Sequence, residues 1–146
     1  MTNDDPFDLQ RFVDAQEETY PTALAEIRRG AKRGHWIWFI FPQLRGLGCS
    51  EMARRFELGS LEEARAYLAH PVLGSRLRAC LEAIQDLTTK SAVDVFGEVD
   101  AMKLRSSLTL FARAQGGPIF DAVLIRWFGS ADDRTDEILK VSKAIP

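Results

Sequence analysis

The chain has 146 residues, 46% hydrophobic and 27% charged, with a net charge of -2. That size suits one domain, and the composition excludes wholesale disorder and, with only two cysteines, a disulfide-built scaffold. The balanced charge argues against a general nucleic-acid coat, and the longest apolar run, Trp36 to Pro42, is too short to span a bilayer.

In chain order, Asp5-Pro6 reads as a helix start, with Leu9, Phe12, Val13 and Gln16 on one face. Pro21 interrupts that pattern and is expected to begin a second helix, which ends at Gly30. The run His35 to Phe41 fits a buried strand or a buried helical turn, and periodicity alone does not choose. Gln43 to Ser50, with Gly46 and Gly48, reads as a loop. Ser50 is expected to cap a helix over Glu51 to Leu58, and Ser60 with Glu63 forms a capping box for the next. His70-Pro71 opens a helix with Leu73, Leu77, Cys80, Leu81 and Ile84 inward, and Gly74 reads as a weak point in it. Ser91 with Asp94 is a second capping box, over a turn stopping at Gly97. Asp100 is expected to cap the helix through Leu104, Leu108 and Phe111. Gly116-Gly117-Pro118 breaks it, a helix through Phe120 and Trp127 stops at Gly129, and a last one covers about 133–141. No alternating strand pattern or hairpin dipeptide appears. The expectation is one all-α domain over 1–146, a compact multihelical bundle of seven or eight short helices with flexible ends at about 1–5 and 142–146.

Charge is unevenly spread. Residues 1–26 hold seven acids and one base, whereas residues 27–55 hold seven bases and one acid. No acid lies between Arg28 and Ser50, where Arg28, Arg29, Lys32, Arg33 and Arg45 surround the aromatic run. One reading is electrostatic packing of the acidic first helix on the basic segment. The other is an anion site, because cations beside aromatic faces suit phosphates and bases.

The two histidines, His35 and His70, have no second ligand at metal-binding spacing, so neither a metal nor a cofactor is expected. Cys49, in the loop beside the basic stretch, is a candidate reactive thiol or a passive one; Cys80 lies on an apolar face. Two free cysteines and an acidic start without an apolar leader suggest a cytoplasmic protein. Gln16 on an apolar stripe needs hydrogen-bond partners or a ligand, and Glu17 and Tyr20 could share its pocket. Trp36 and Trp38 face one side of a strand but lie about 200° apart on a helix, and both indoles need acceptors. His35 is a candidate ligand contact or general acid–base, or a hydrogen-bonded structural residue. Ser107 follows Lys103 by four residues and shares its helix face, a spacing equally suited to close helix packing.

The segments Asp8 to Gln16, then Tyr20, Lys32, His35-Trp36-x-Trp38-Phe39-x-Phe41-Pro42-Gln43-Leu44 and Gly46-Leu47-Gly48 together resemble a bacterial family of unknown function, DUF1810. So do Ala64-Arg65-x-x-Leu68-x-His70-Pro71-x-Leu73-Gly74-x-Arg76-Leu77, Phe96-Gly97 and Lys103-Leu104-x-Ser106-Ser107-x-Thr109-Leu110-Phe111. The resemblance runs from about 5 to 140 and implies a compact multihelical fold without naming an activity. The label calpastatin often attached to that family does not fit a core-forming composition, since such inhibitors are disordered and polar. The segments Phe12 to Gln16 and Lys103 to Phe111 have a looser similarity, in swapped order, to helical N-glycosidases of ADP-ribose-like ligands. That similarity implies Glu17 or Asp14 at an oxocarbenium-like centre, with Tyr20, Trp36 or Trp38 stacking a base.

The functional expectation is a pocket for a small anionic, nucleotide-like ligand, built from Gln16, Tyr20, Lys32, His35, Trp36, Trp38, Gln43, Lys103 and Ser107. Glu17 and His35 are its candidate catalytic groups. The alternative is a protein-interaction module or homodimer that uses the stretch 28–45 as its interface.

Overall fold

The computed structural model describes residues 4–88 and 90–144, with side chains to residue 141. Among these are eight helices: α1 Gln10–Arg29, α2 Ile37–Ile40, α3 Glu51–Phe56, α4 Leu61–Ala69, α5 Leu73–Asp86, α6 Ala92–Arg113, α7 Pro118–Phe128 and α8 Asp133–Ala144. The fold is all-α. The ends expected to be flexible fall largely outside the described residues, but Asp5 is engaged. Its carboxylate accepts from the Leu9 and Gln10 N–H groups, so it caps α1 four residues later than the sequence suggests. Asp8, at φ 50, makes the turn between the two positions.

Pro21 does not divide α1. The helix runs through it because Phe12, Gln16, Ala23, Glu26 and Ile27 form one buried stripe on both sides of the proline. Packing of that stripe outweighs the loss of one backbone hydrogen bond. Gly30, at φ 76, then ends α1 with its N–H on the Ile27 carbonyl. The ambiguous aromatic run resolves as the single turn α2 rather than a strand. The segment after it makes one isolated parallel bridge, Leu44 with Leu58.

Three serines cap as expected: Ser50 for α3, Ser60 for α4 and Ser91 for α6. The Ser91–Asp94 box is complete, whereas the Glu63 carboxylate takes the Gly59 N–H instead of that of Ser60. The helix after Ser50 stops at Phe56, two residues before the expected end, where the chain turns extended toward the Leu58 bridge. His70 caps α5 through Nδ1, which accepts from the Val72 and Leu73 N–H groups. Gly74 is not a weak point. A Cβ there would lie 2.1 Å from the Leu68 carbonyl oxygen, so glycine is what lets α4 and α5 meet. Gly97, at φ 81, breaks α6 after its first turn. Asp100 does not cap the helix that follows; its carboxylate binds lysines.

α6 is central, packing against α7, α4, α8 and α2, while α1 packs on α5 and α2. Buried rings mark the core: Phe12 contacts Phe56 and Tyr67, Tyr67 contacts Phe111, and Phe111 contacts Phe120. No described helix is long and apolar enough to cross a membrane.

Candidate functional site

The turn after Gly30 folds onto α6, where the Lys32 N–H donates to the Val95 carbonyl at 2.8 Å. This carries the Lys32 ammonium to the Asp100 carboxylate, 2.7 Å away, with the lysine side chain only 5% exposed. The same ammonium donates to the Gly34 carbonyl and lies 4.8 Å from the Trp36 ring centre. Trp36 is buried, and its indole N–H donates to Glu26 Oε1 at 2.9 Å. That oxygen also accepts from the Arg33 and Gly34 N–H groups. Burial alone would raise the Glu26 pKa. The Gly34, Arg33 and Trp36 donors, with the Arg29 charge, outweigh it and hold the carboxyl below its ordinary range. Lys32 and Trp36 thus have their polar groups taken up within the protein. The buried acid of the first helix is hydrogen-bonded by N–H groups, and of the basic stretch only the Arg29 charge adds to them.

Gln16 is also spoken for. Its amide nitrogen donates to the Phe39 carbonyl at 2.7 Å and to the Tyr67 hydroxyl at 3.0 Å, and its oxygen accepts from Arg76 at 3.3 Å. Burial pushes the Tyr67 phenol up, so it stays a neutral partner. Arg76 lies over the ring of Tyr20, one helical turn beyond Gln16, with 5.0 Å from guanidinium carbon to ring centre.

Because α2 is helical, Trp38 turns away from Trp36 and meets α6. The Lys103 ammonium lies 4.8 Å from its ring centre and 3.8 Å from Asp100 Oδ1, a looser contact than the one Lys32 makes. Ser107, one turn further along α6, is fully buried. The Trp38 indole N–H and the Ser107 hydroxyl are both buried and have no hydrogen-bond partner. Each such orphan costs about 1–3 kcal/mol, and orphans are rare enough in native proteins to need a reason.

The other candidates stand apart. His35 and Glu17 are exposed, and neither ring nor carboxylate is hydrogen-bonded to another candidate among the described residues. Asp14 is exposed and accepts from Gln10. Gln43 is half-buried beside the Leu58 bridge, where its carbonyl accepts from the Leu58 N–H. Cys49 is exposed. Among the described residues, no group of three or more His, Cys, Asp or Glu could hold a metal. Two cavities of about 480 and 490 Å³ lie elsewhere, one lined by His70, Ser75 and Arg78, the other by Leu61, Arg113 and Asp136.

Sequence reasoning missed Glu26, Asp100 and Arg76. Glu26 carried the signal that singled out Gln16, a polar residue on the buried stripe with Ala23 and Ile27. Asp100 was misread as a cap. Arg76 had no local signal, because its partner Gln16 lies 60 residues away.

Residues 6–139 match the family model described as protein of unknown function (DUF1810). The crystal structure of the conserved hypothetical protein Rv1873 from Mycobacterium tuberculosis superposes with a TM-score of 0.91 at 49% identity. The match covers 93% of this chain and 99% of that one. No curated protein matches. The chain belongs to the DUF1810 family.

Proposed function

We propose that this member of the DUF1810 family binds a small anionic, nucleotide-like ligand at the face of α6 that carries Lys103 and Ser107, under Trp38. The supporting observation is the buried Trp38 indole N–H without an acceptor, its ring 4.8 Å from the loosely paired Lys103 ammonium, with the Ser107 hydroxyl, also buried and without a partner, one turn further along α6. All three groups donate, so the complementary group is an oxyanion. Val99 and Met102, on the turn before Lys103, are exposed and offer apolar surface to an organic body. The two free thiols fit a cytoplasmic setting for such a ligand. The interface reading has less support. Trp36, Phe39 and Phe41 of the stretch 28–45 lie in the core, which leaves mainly Arg28, Arg29, Arg33, His35 and Arg45 on the surface.

Isothermal titration with AMP and ADP-ribose tests this reading against Trp38→Phe and Ser107→Ala. Each substitution removes one donor and keeps the shape. Each is expected to weaken binding about tenfold or more. Ligand-free Ser107→Ala should be no less stable than the parent, because it removes an unsatisfied hydroxyl. Unchanged affinity in both variants, or no saturable binding by the parent, would overturn it.

A further inference from the structure

The turn from α4 to α5 and one face of α5 border a cavity of about 480 Å³, with His70, Ser75, Arg78 and Glu82 in its lining. None of these residues belongs to the site under Trp38. Arg78 and Glu82 stand one turn apart on α5, a spacing at which opposite charges on a helix pair. Here they do not. The Arg78 guanidinium is drawn instead to two carbonyls, those of Leu68 near the end of α4 and Gly116 beyond α6, each at 3.3 Å. Among the described residues no carboxylate lies within 4.0 Å of that guanidinium, and no cation lies within 4.0 Å of the Glu82 carboxylate. The two carbonyls hold the guanidinium in place and take up two of its five N–H donors, which leaves three.

Two more donors line the same cavity. His70 Nδ1 accepts from the Val72 and Leu73 N–H groups, which assigns the ring proton to Nε2, and Nε2 has no acceptor among the described residues. Ser75 is exposed, and its hydroxyl makes no hydrogen bond among the described residues. The cavity thus combines a fixed cation, two neutral donors and a lone carboxylate. We propose that it binds a free α-amino acid, with the ligand carboxylate on Arg78, Ser75 and His70 and the ligand ammonium on Glu82. Charge decides the class. An amino acid brings one charge of each sign and compensates Arg78 and Glu82 together. A phosphate monoester, at about -1.5 to -2 near neutral pH, exceeds the one cation and is repelled by Glu82. A simple carboxylate leaves Glu82 without a partner. The guanidinium fork matches carboxylate oxygens with paired N–H donors. Leu68, Pro71 and Ala79 give the cavity an apolar wall for the ligand side chain.

The test is titration of the protein with each standard L-amino acid at constant ionic strength, with acetate, methylamine and inorganic phosphate as controls. The expected result is saturable binding of at least one amino acid, with all three controls far weaker. The N-acetyl form of that amino acid, which lacks the ammonium charge, should bind about tenfold or more weakly to the parent protein. Glu82→Gln should weaken binding of the free amino acid by a similar factor and abolish the preference over the N-acetyl form. Glu82 is exposed and makes no hydrogen bond or ion pair among the described residues, so this variant keeps the fold. Ser75→Ala, exposed as well, should cost about threefold. Lys103→Gln should leave binding unchanged, which separates this site from the one under Trp38. Four results would each overturn the assignment: no saturable binding of any amino acid by the parent, unchanged affinity in Glu82→Gln, an equal loss in Lys103→Gln, or acetate or phosphate binding as tightly as the amino acid.

Discussion

Glu26 shows how much one side chain organises. A single carboxylate oxygen gathers two backbone N–H groups and an indole N–H, and so fixes the turn that leads from α1 to the aromatic run. Glu26→Gln keeps an acceptor but loses the charge, and should cost about 1–2 kcal/mol; Glu26→Ala strands three donors and should cost about 3 kcal/mol or more. Urea unfolding near neutral pH measures both. The pH dependence has a definite sign. The folded pKa is lowered from 4.5, so the stabilisation is complete above that value and is lost as pH falls below it. The gap between parent and Glu26→Ala should therefore shrink below about pH 4.5; a gap that held constant into acid would show that the carboxylate charge contributes nothing. At this scale the sequence is half legible. That Gln16 would need partners could be read from its place on an apolar stripe, but the partners themselves could not, since Phe39 and Tyr67 come from distant segments.

At the scale of elements, what was legible is what is local. Serine caps, the stop at Gly30, the break at Gly97 and the Gly116-Gly117-Pro118 turn depend on a few adjacent residues, and the structure has them all. The readings that failed required knowledge of what lies across the core. Gly74 reads as a defect until the Leu68 carbonyl is placed against it. Pro21 reads as a boundary until the stripe on both sides of it is seen to pack on α5 and α2. A proline in a helix interior is worth about 3 kcal/mol less than alanine there, while alanine returns up to about 1 kcal/mol of freedom to the unfolded chain. Since Pro21 is exposed, Pro21→Ala should stabilise the protein by about 2 kcal/mol, read as a raised denaturation midpoint at unchanged slope. A loss of stability would mean that α1 needs the proline, for instance to set its curvature against α5.

Across the whole molecule, the candidate residues divide according to where the fold sends them. The acid-free stretch from Arg28 to Ser50 is a genuine feature of the sequence, but closeness along the chain does not decide which cations stay free. Lys32 is consumed by Asp100, 68 positions later, and so becomes a tie between the turn after α1 and the central helix α6. Lys103, held by the same carboxylate at 3.8 Å, keeps more of its capacity for another anion. This tie is open to a direct test. Breaking a buried pair by removing one partner costs about 3–5 kcal/mol, while replacing both partners with apolar side chains of similar volume is often neutral. Asp100→Leu leaves the nearly buried Lys32 ammonium uncompensated and should fall within that range. Lys32→Met should cost less, because Asp100 is 22% exposed and retains Lys103. The double variant should be more stable than Asp100→Leu alone, although it carries one substitution more. Four urea unfolding curves complete the cycle. If the two losses simply add, Lys32 and Asp100 do not act on each other, and the turn must be held to α6 by the Lys32–Val95 backbone bond and the packing of Trp36 on Phe96.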